Sequence, residues 1–74
     1  MTRLSILPAG ARARVVLLAP ELRDRADRLA SLGIFPGSEV ELVQRLPAYV
    51  VEAGETRLAI DADVAQRIFV QRVA

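Results

Sequence analysis

Apart from Tyr49 and the chain ends, the ionisable side chains of this sequence are nine carboxylates and ten basic residues, every one of the latter an Arg. No Lys, His, Cys or Trp occurs. Without imidazole the commonest general base is missing, and without a thiol so is the Cys nucleophile. Without Lys there is no Schiff base and no Walker-type phosphate Lys. Zinc and iron sites draw mostly on His and Cys, so only carboxylates remain as ligands, and these favour hard ions. The expectation is a protein that is not an enzyme, with no catalytic residue, no metal site and no cofactor.

What remains to do chemistry is the guanidinium set. Residues 1–30 hold six Arg against Glu21, Asp24 and Asp27, while residues 31–74 hold four Arg against six acids. The formal net charge of +1 is too small to mark a nucleic-acid or membrane partner. Glu21 and Arg25, and Asp24 and Arg28, stand four apart with the acid first, the favourable order for ion pairs on a helix surface. Arg12 and Arg14 alternate with Ala13, Val15 and Leu17, so both point away from a core. Val16 and Leu18 share their face and make it a mixed apolar and basic surface suited to an acidic partner.

These side chains need elements to position them. Leu4-Ser5-Ile6-Leu7-Pro8-Ala9-Gly10 reads as an apolar anchor and a turn, followed by a strand over Ala11 to Leu18 with Leu17 inward. Pro20 opens a three-turn helix, Glu21 to Leu32, whose Leu22, Ala26 and Leu29 form one stripe. Gly33 stops it in the left-handed position that only Gly adopts freely. Pro36 and Gly37 suit the centre of a type II turn. A strand from Ser38 to Arg45 then turns Val40 and Leu42 inward, until Leu46-Pro47 interrupts it.

The next unit fixes its own register. Gly54-Glu55 fits a two-residue II′ turn, which sets Ala53 opposite Thr56, Glu52 opposite Arg57, Val51 opposite Leu58 and Tyr49 opposite Ile60. The apolar pairs then share the inner face, and a slip by one residue would expose all of them. Asp61 can N-cap a short helical turn through Gln66, and Ile68 to Val73 closes as a strand. The fold class expected is mainly β with an inserted helix: a small barrel of about five strands, one three-turn helix and one short helical turn, all in a single domain over residues 1–74. Closure of the barrel would remove exposed sheet edges. The longest uncharged run, Leu29 to Ser38, is too short and too broken by Gly and Pro to span a membrane. The early Pro8 and Gly10 leave no apolar leader core, which with the absence of Cys suggests the cytoplasm.

In this order, helix, Arg28-Leu29-Ala30-Ser31-Leu32-Gly33-Ile34-Phe35-Pro36-Gly37-Ser38-Glu39-Val40, then alternating strand, the sequence resembles the FeoA family of ferrous-iron transport accessory proteins. Leu4 to Gly10 is similar to that family's opening; Leu58-Ala59-Ile60-Asp61 and Ala65 to Val70 are similar to its close. The resemblance implies an SH3-like barrel with a helix inserted after the first strand. It also implies a small cytoplasmic regulator binding the cytoplasmic GTP-binding domain of the FeoB transporter, and so peripheral to the membrane only through that partner. Where the family commonly carries a Gly-Asp-Pro-like loop, Leu46-Pro47-Ala48-Tyr49 runs almost directly into the next strand. Similar barrels form the C-terminal domain of iron-dependent repressors, and a stand-alone relative of that domain is the alternative.

The residues singled out for partner binding are Phe35, Pro36, Leu46 and Pro47, an apolar loop surface, with Arg25 and Arg28 at its rim. Phe35 is either tucked beneath the barrel or presented to a partner. Leu46-Pro47 is placed beside Phe35. Gly33, Pro36, Gly37 and Gly54 are assigned to turns. A nucleic-acid-binding barrel is the competing class, and it needs a basic groove with stacking aromatics. Phe35, Tyr49 and Phe69 are the only aromatics, so no nucleic acid is expected. Weak homo-oligomerisation is a further option.

Overall fold

Alternation of charged and apolar residues sets the faces of a six-stranded antiparallel sheet in the computed structural model, which describes residues 1–73. The strands are β1 (Thr2–Arg3), β2 (Arg12–Leu18), β3 (Glu39–Gln44), β4 (Tyr49–Ala53), β5 (Thr56–Ile60) and β6 (Ile68–Arg72), in the spatial order β1-β6-β2-β3-β4-β5. The helices are α1 (Ala26–Ser31) and α2 (Ala62–Ala65), with 3₁₀ segments at Leu4–Ile6 and Pro20–Arg25. Ala13, Val15, Val40, Leu42, Val51, Ile68 and Val70 project from the inner face into one core that Leu4, Leu22, Leu29 and Ile34 complete. This is the SH3-like small barrel expected, with one strand more: β1 pairs Thr2 with Val70 and Arg3 with Phe69. Two residues are too few to show a period, so this strand leaves no periodic signal.

Two irregularities curl the sheet. In β2 the pairing with β6 shifts between Val15 and Leu17, and in β3 the pairing with β4 shifts between Leu42 and Gln44. A bulge bends its strand and increases the local twist. It also changes which side chains face inward. Leu17, expected inside, is exposed, whereas Leu18 packs on the core. The extra residue at the bulge moves every later side chain of the strand to the opposite face.

The expected helix from Glu21 to Leu32 is two segments rather than one. Pro20–Arg25 winds as 3₁₀, and only Ala26–Ser31 is α-helical. Ala19 and Leu22 are both buried, and the 3₁₀ pitch of three residues per turn puts them on one edge facing the core. The Ala19 N–H donates to Arg67 O at 2.8 Å and the Leu22 N–H to Ala19 O at 2.9 Å, tying this start down. In that winding, residues four apart lie about a third of a turn away from alignment. Accordingly, neither Glu21–Arg25 nor Asp24–Arg28 forms a salt bridge among the described residues. Glu21 pairs instead with Arg67 at 2.9 Å.

The exit from α1 follows the sequence. Gly33 has φ +96°, its N–H donates to Ala30 O at 3.0 Å, and the Ile34 N–H reaches back to Leu29 O at 2.9 Å. This is a Schellman closure, with Ile34 as the buried apolar residue beyond it. Gly33 has a second reason to be Gly, because a Cβ there would lie 3.1 Å from Ala53 Cβ on β4. The β4–β5 hairpin has the expected register at every pair, with Gly54 at φ +60° and no positive φ at Glu55, as a II′ turn requires. Asp61 Oδ1 accepts from the Val64 N–H at 2.8 Å and so caps α2.

Candidate functional site

The turn after α1 holds Phe35 in place. Pro36 and Gly37 form its centre, Gly37 has φ +98°, and the Ser38 N–H donates to Phe35 O at 2.9 Å, the closure of a type II turn. Ser38 Oγ adds a second clamp, donating to Phe35 O at 2.8 Å and accepting from Phe35 N–H at 3.1 Å. The turn is fastened to β2 by Gly37 N–H to Val15 O at 2.7 Å and Val15 N–H to Ser38 O at 2.8 Å. The backbone of Phe35 is therefore fixed, while the residue remains 44% exposed, so Phe35 is presented rather than tucked beneath the barrel.

Leu46 and Pro47 lie beyond the opposite end of β3. The run from Ser38 to Arg45 spans roughly 20 Å at the rise of a strand, so the structure does not bring Leu46-Pro47 beside Phe35. The expected apolar surface is two patches, one at each end of β3. Leu46 is 83% exposed, and so, at 65%, is Ile6 of the segment expected as an apolar anchor. Arg45, the residue before Leu46, ties the two segments: its Nη1 donates to the carbonyls flanking Ile6, Ser5 O at 2.7 Å and Leu7 O at 2.5 Å, and its guanidinium stands 5.5 Å from the centre of the Tyr49 ring. A 3₁₀ turn directs Leu4 and Leu7 inward and the intervening Ile6 outward, and so short a run carries no periodic signal of it.

Arg25 and Arg28, expected at the rim of the apolar loop surface, together line a groove that includes none of Phe35, Pro36, Leu46 and Pro47. The groove, of about 450 Å³, lies between α1 and β5, and Leu32, Leu58, Ala59 and Asp61 also line it. Neither Arg has a carboxylate partner among the described residues. Arg14, by contrast, pairs with Glu39 at 2.9 Å, and Arg12 approaches the same carboxylate at 3.8 Å. On the mixed apolar and basic face expected of β2, the single carboxylate of Glu39 thus serves both arginines.

Of the three aromatics, Phe35 alone is exposed. Tyr49 is half-buried against the core, and Phe69, also half-buried, lies under the Arg3 guanidinium at 5.9 Å. No row of stacking rings lines a groove among the described residues, which is the platform single-stranded nucleic acid needs. Nor do three or more Asp, Glu, His or Cys side chains gather as a metal cluster among them. No helix among them is long and apolar enough to cross a membrane.

A family model described as the FeoA domain matches residues 2–72. Among solved structures, the fold is similar to the FeoA protein of Chlorobium tepidum, at 30% identity and TM-score 0.87, covering 99% of this chain and 71% of that one. It is also similar to a zinc-complexed FeoA of Stenotrophomonas maltophilia, at 31% identity and TM-score 0.80, covering 96% and 91% of the two chains. That protein is described as a prokaryotic SH3 domain protein and a candidate activating factor of bacterial ferrous iron transport. T. acidophilum IdeR shares the fold at 24% identity and TM-score 0.86, with 97% of this chain matching 34% of that one. No curated protein matches the chain.

Proposed function

The chain belongs to the FeoA family, and from that premise we propose that it is a non-enzymatic regulator of ferrous-iron uptake that docks in the cytoplasm on the GTP-binding domain of an FeoB-type transporter. The whole barrel serves as one docking module. The observation that carries this reading is Phe35: a large apolar side chain left exposed on a turn whose backbone is clamped by Ser38 and bonded to β2. Binding favours apolar anchors whose conformation is already set, because less freedom is lost on association. Pro36 adds rigid apolar area beside it, and Leu46 with Pro47 forms a second contact of the same kind.

Since the two patches stand roughly 20 Å apart, they are tested separately against the purified GTP-binding domain by calorimetry. Phe35→Asp is expected to weaken binding at least about tenfold, the range of an interface anchor, while leaving the fold intact. Leu46→Asp reports on the other end of β3. Unchanged affinity in both variants would remove this surface from the reading. Absence of binding by the unaltered protein would remove the partner itself.

A further inference from the structure

Hydrogen bonding closes the barrel at neither margin of the sheet, and the two margins are unlike. β1 is two residues long, whereas β5 has five and carries one charged residue, Arg57, and no Pro. Natural edge strands are usually shortened, charged or covered, because a row of free N–H and C=O groups invites another strand. In a two-residue hairpin the residues flanking the turn exchange hydrogen bonds, and such pairs then alternate along the ladder. Ala53 with Thr56, Val51 with Leu58 and Tyr49 with Ile60 are therefore the bonded pairs of β4 and β5. The N–H and C=O of Arg57 and Ala59 point the other way, outward from the sheet, and among the described residues no strand pairs with β5 on that side.

Leu58, Ala59 and Ile60 of that strand line the groove shared with Arg25 and Arg28. The groove has a definite chemistry. Leu32 and Leu58 supply apolar lining, and beside them stand two guanidinium groups that have no carboxylate partner among the described residues. The one acid at the rim, Asp61, already has an oxygen committed to the Val64 N–H. Main-chain bonds from an added strand would give affinity, and alternate side chains would give selectivity.

The geometry points to β5 as a strand-addition site that takes an extended segment of a partner protein, in which apolar residues alternate with Asp or Glu. Its N–H and C=O groups pair with Arg57 and Ala59, its apolar side chains lie on Leu32 and Leu58, and its carboxylates meet Arg25 and Arg28. This site shares no lining residue with the Phe35 and Leu46 patches and stands whether or not the transporter is the partner.

The test uses the full chain, ¹⁵N-labelled, titrated with a capped heptapeptide alternating valine and glutamate. Saturable shifts are expected at the Arg57, Leu58 and Ala59 amides, with slowed hydrogen exchange at Ala59. N-methylation of one alternating set of peptide amides should abolish binding, while methylation of the other set leaves it in place. That parity belongs to strand pairing and involves no change in the protein. Arg25→Ala combined with Arg28→Ala, both at exposed positions, should weaken binding about fivefold or more, and a lysine-for-glutamate peptide should fail to bind. Ala59→Pro, which removes only an outward N–H, should also block it. The proposal is overturned if the heptapeptide gives no shifts at β5, if both methylation patterns are equivalent, or if the lysine peptide binds as well. It is likewise overturned if sedimentation shows a dimer of this chain that Ala59→Pro disperses, since a second copy would then be the occupant.

Discussion

Gly33→Ala should separate two costs that meet at one residue, and the structure allows each to be sized. The first is conformational: at φ +96° a residue with a Cβ loses about 1–2 kcal/mol. The second is contact: the new Cβ would stand 3.1 Å from Ala53 Cβ, several tenths of an ångström inside the optimum for two carbons, which adds about 1 kcal/mol of crowding. Gly37 is the internal control, since it has nearly the same φ, +98°, with open space around its Cβ position. Thermal unfolding followed by circular dichroism is expected to show Gly33→Ala lowering Tm by about 10–20 °C and Gly37→Ala by about half as much, at 4–8 °C per kcal/mol for a domain of this size. A double-mutant cycle with Ala53→Gly should return a coupling of about 1 kcal/mol. If Gly33→Ala costs no more than Gly37→Ala, or the coupling is zero, the close approach of α1 to β4 is not what holds Gly33. Because that approach also sets one wall of the α1–β5 groove, Gly33→Ala should disturb the amide signals of Leu32 and Leu58, whereas Gly37→Ala should not.

Asp61→Ala removes the acceptor for the Val64 N–H and should cost about 0.5–2 kcal/mol in chemical denaturation, with Asp61→Asn retaining most of the stability. Arg45→Met leaves Ser5 O and Leu7 O without their shared donor; a loss of about 2 kcal/mol is expected, together with altered amide shifts around Ile6. Arg67→Ala breaks partly exposed pairs with Glu21 and Asp63, so its cost should stay within about 1 kcal/mol and shrink in high salt.

The β4–β5 hairpin was fully legible because a two-residue turn leaves one register, and that register alone puts Val51, Leu58, Tyr49 and Ile60 on the same face. The Gly33 stop and the Pro36-Gly37 turn were legible for a similar reason: each depends on backbone freedom within a few residues. The candidate site was legible only in its parts. Phe35 is exposed on the turn expected to carry it, but Leu46 is at the far end of β3. Ile6 and the unpaired edge of β5 left no trace in composition or spacing.

The sequence by itself determined the chemistry this protein lacks, the alternation that builds its sheet and the turns that connect it, since all of these are set by residue type or by neighbours close along the chain. Tertiary structure alone decided the bulge that turns Leu17 outward, the 3₁₀ winding that gives Glu21 to Arg67 rather than Arg25, and the grouping of Arg25 and Arg28 with β5. The physical reason is the same in each case. A core shared by strands distant in sequence fixes which side chains fill it, and the remaining side chains take whatever place on the surface that packing leaves them.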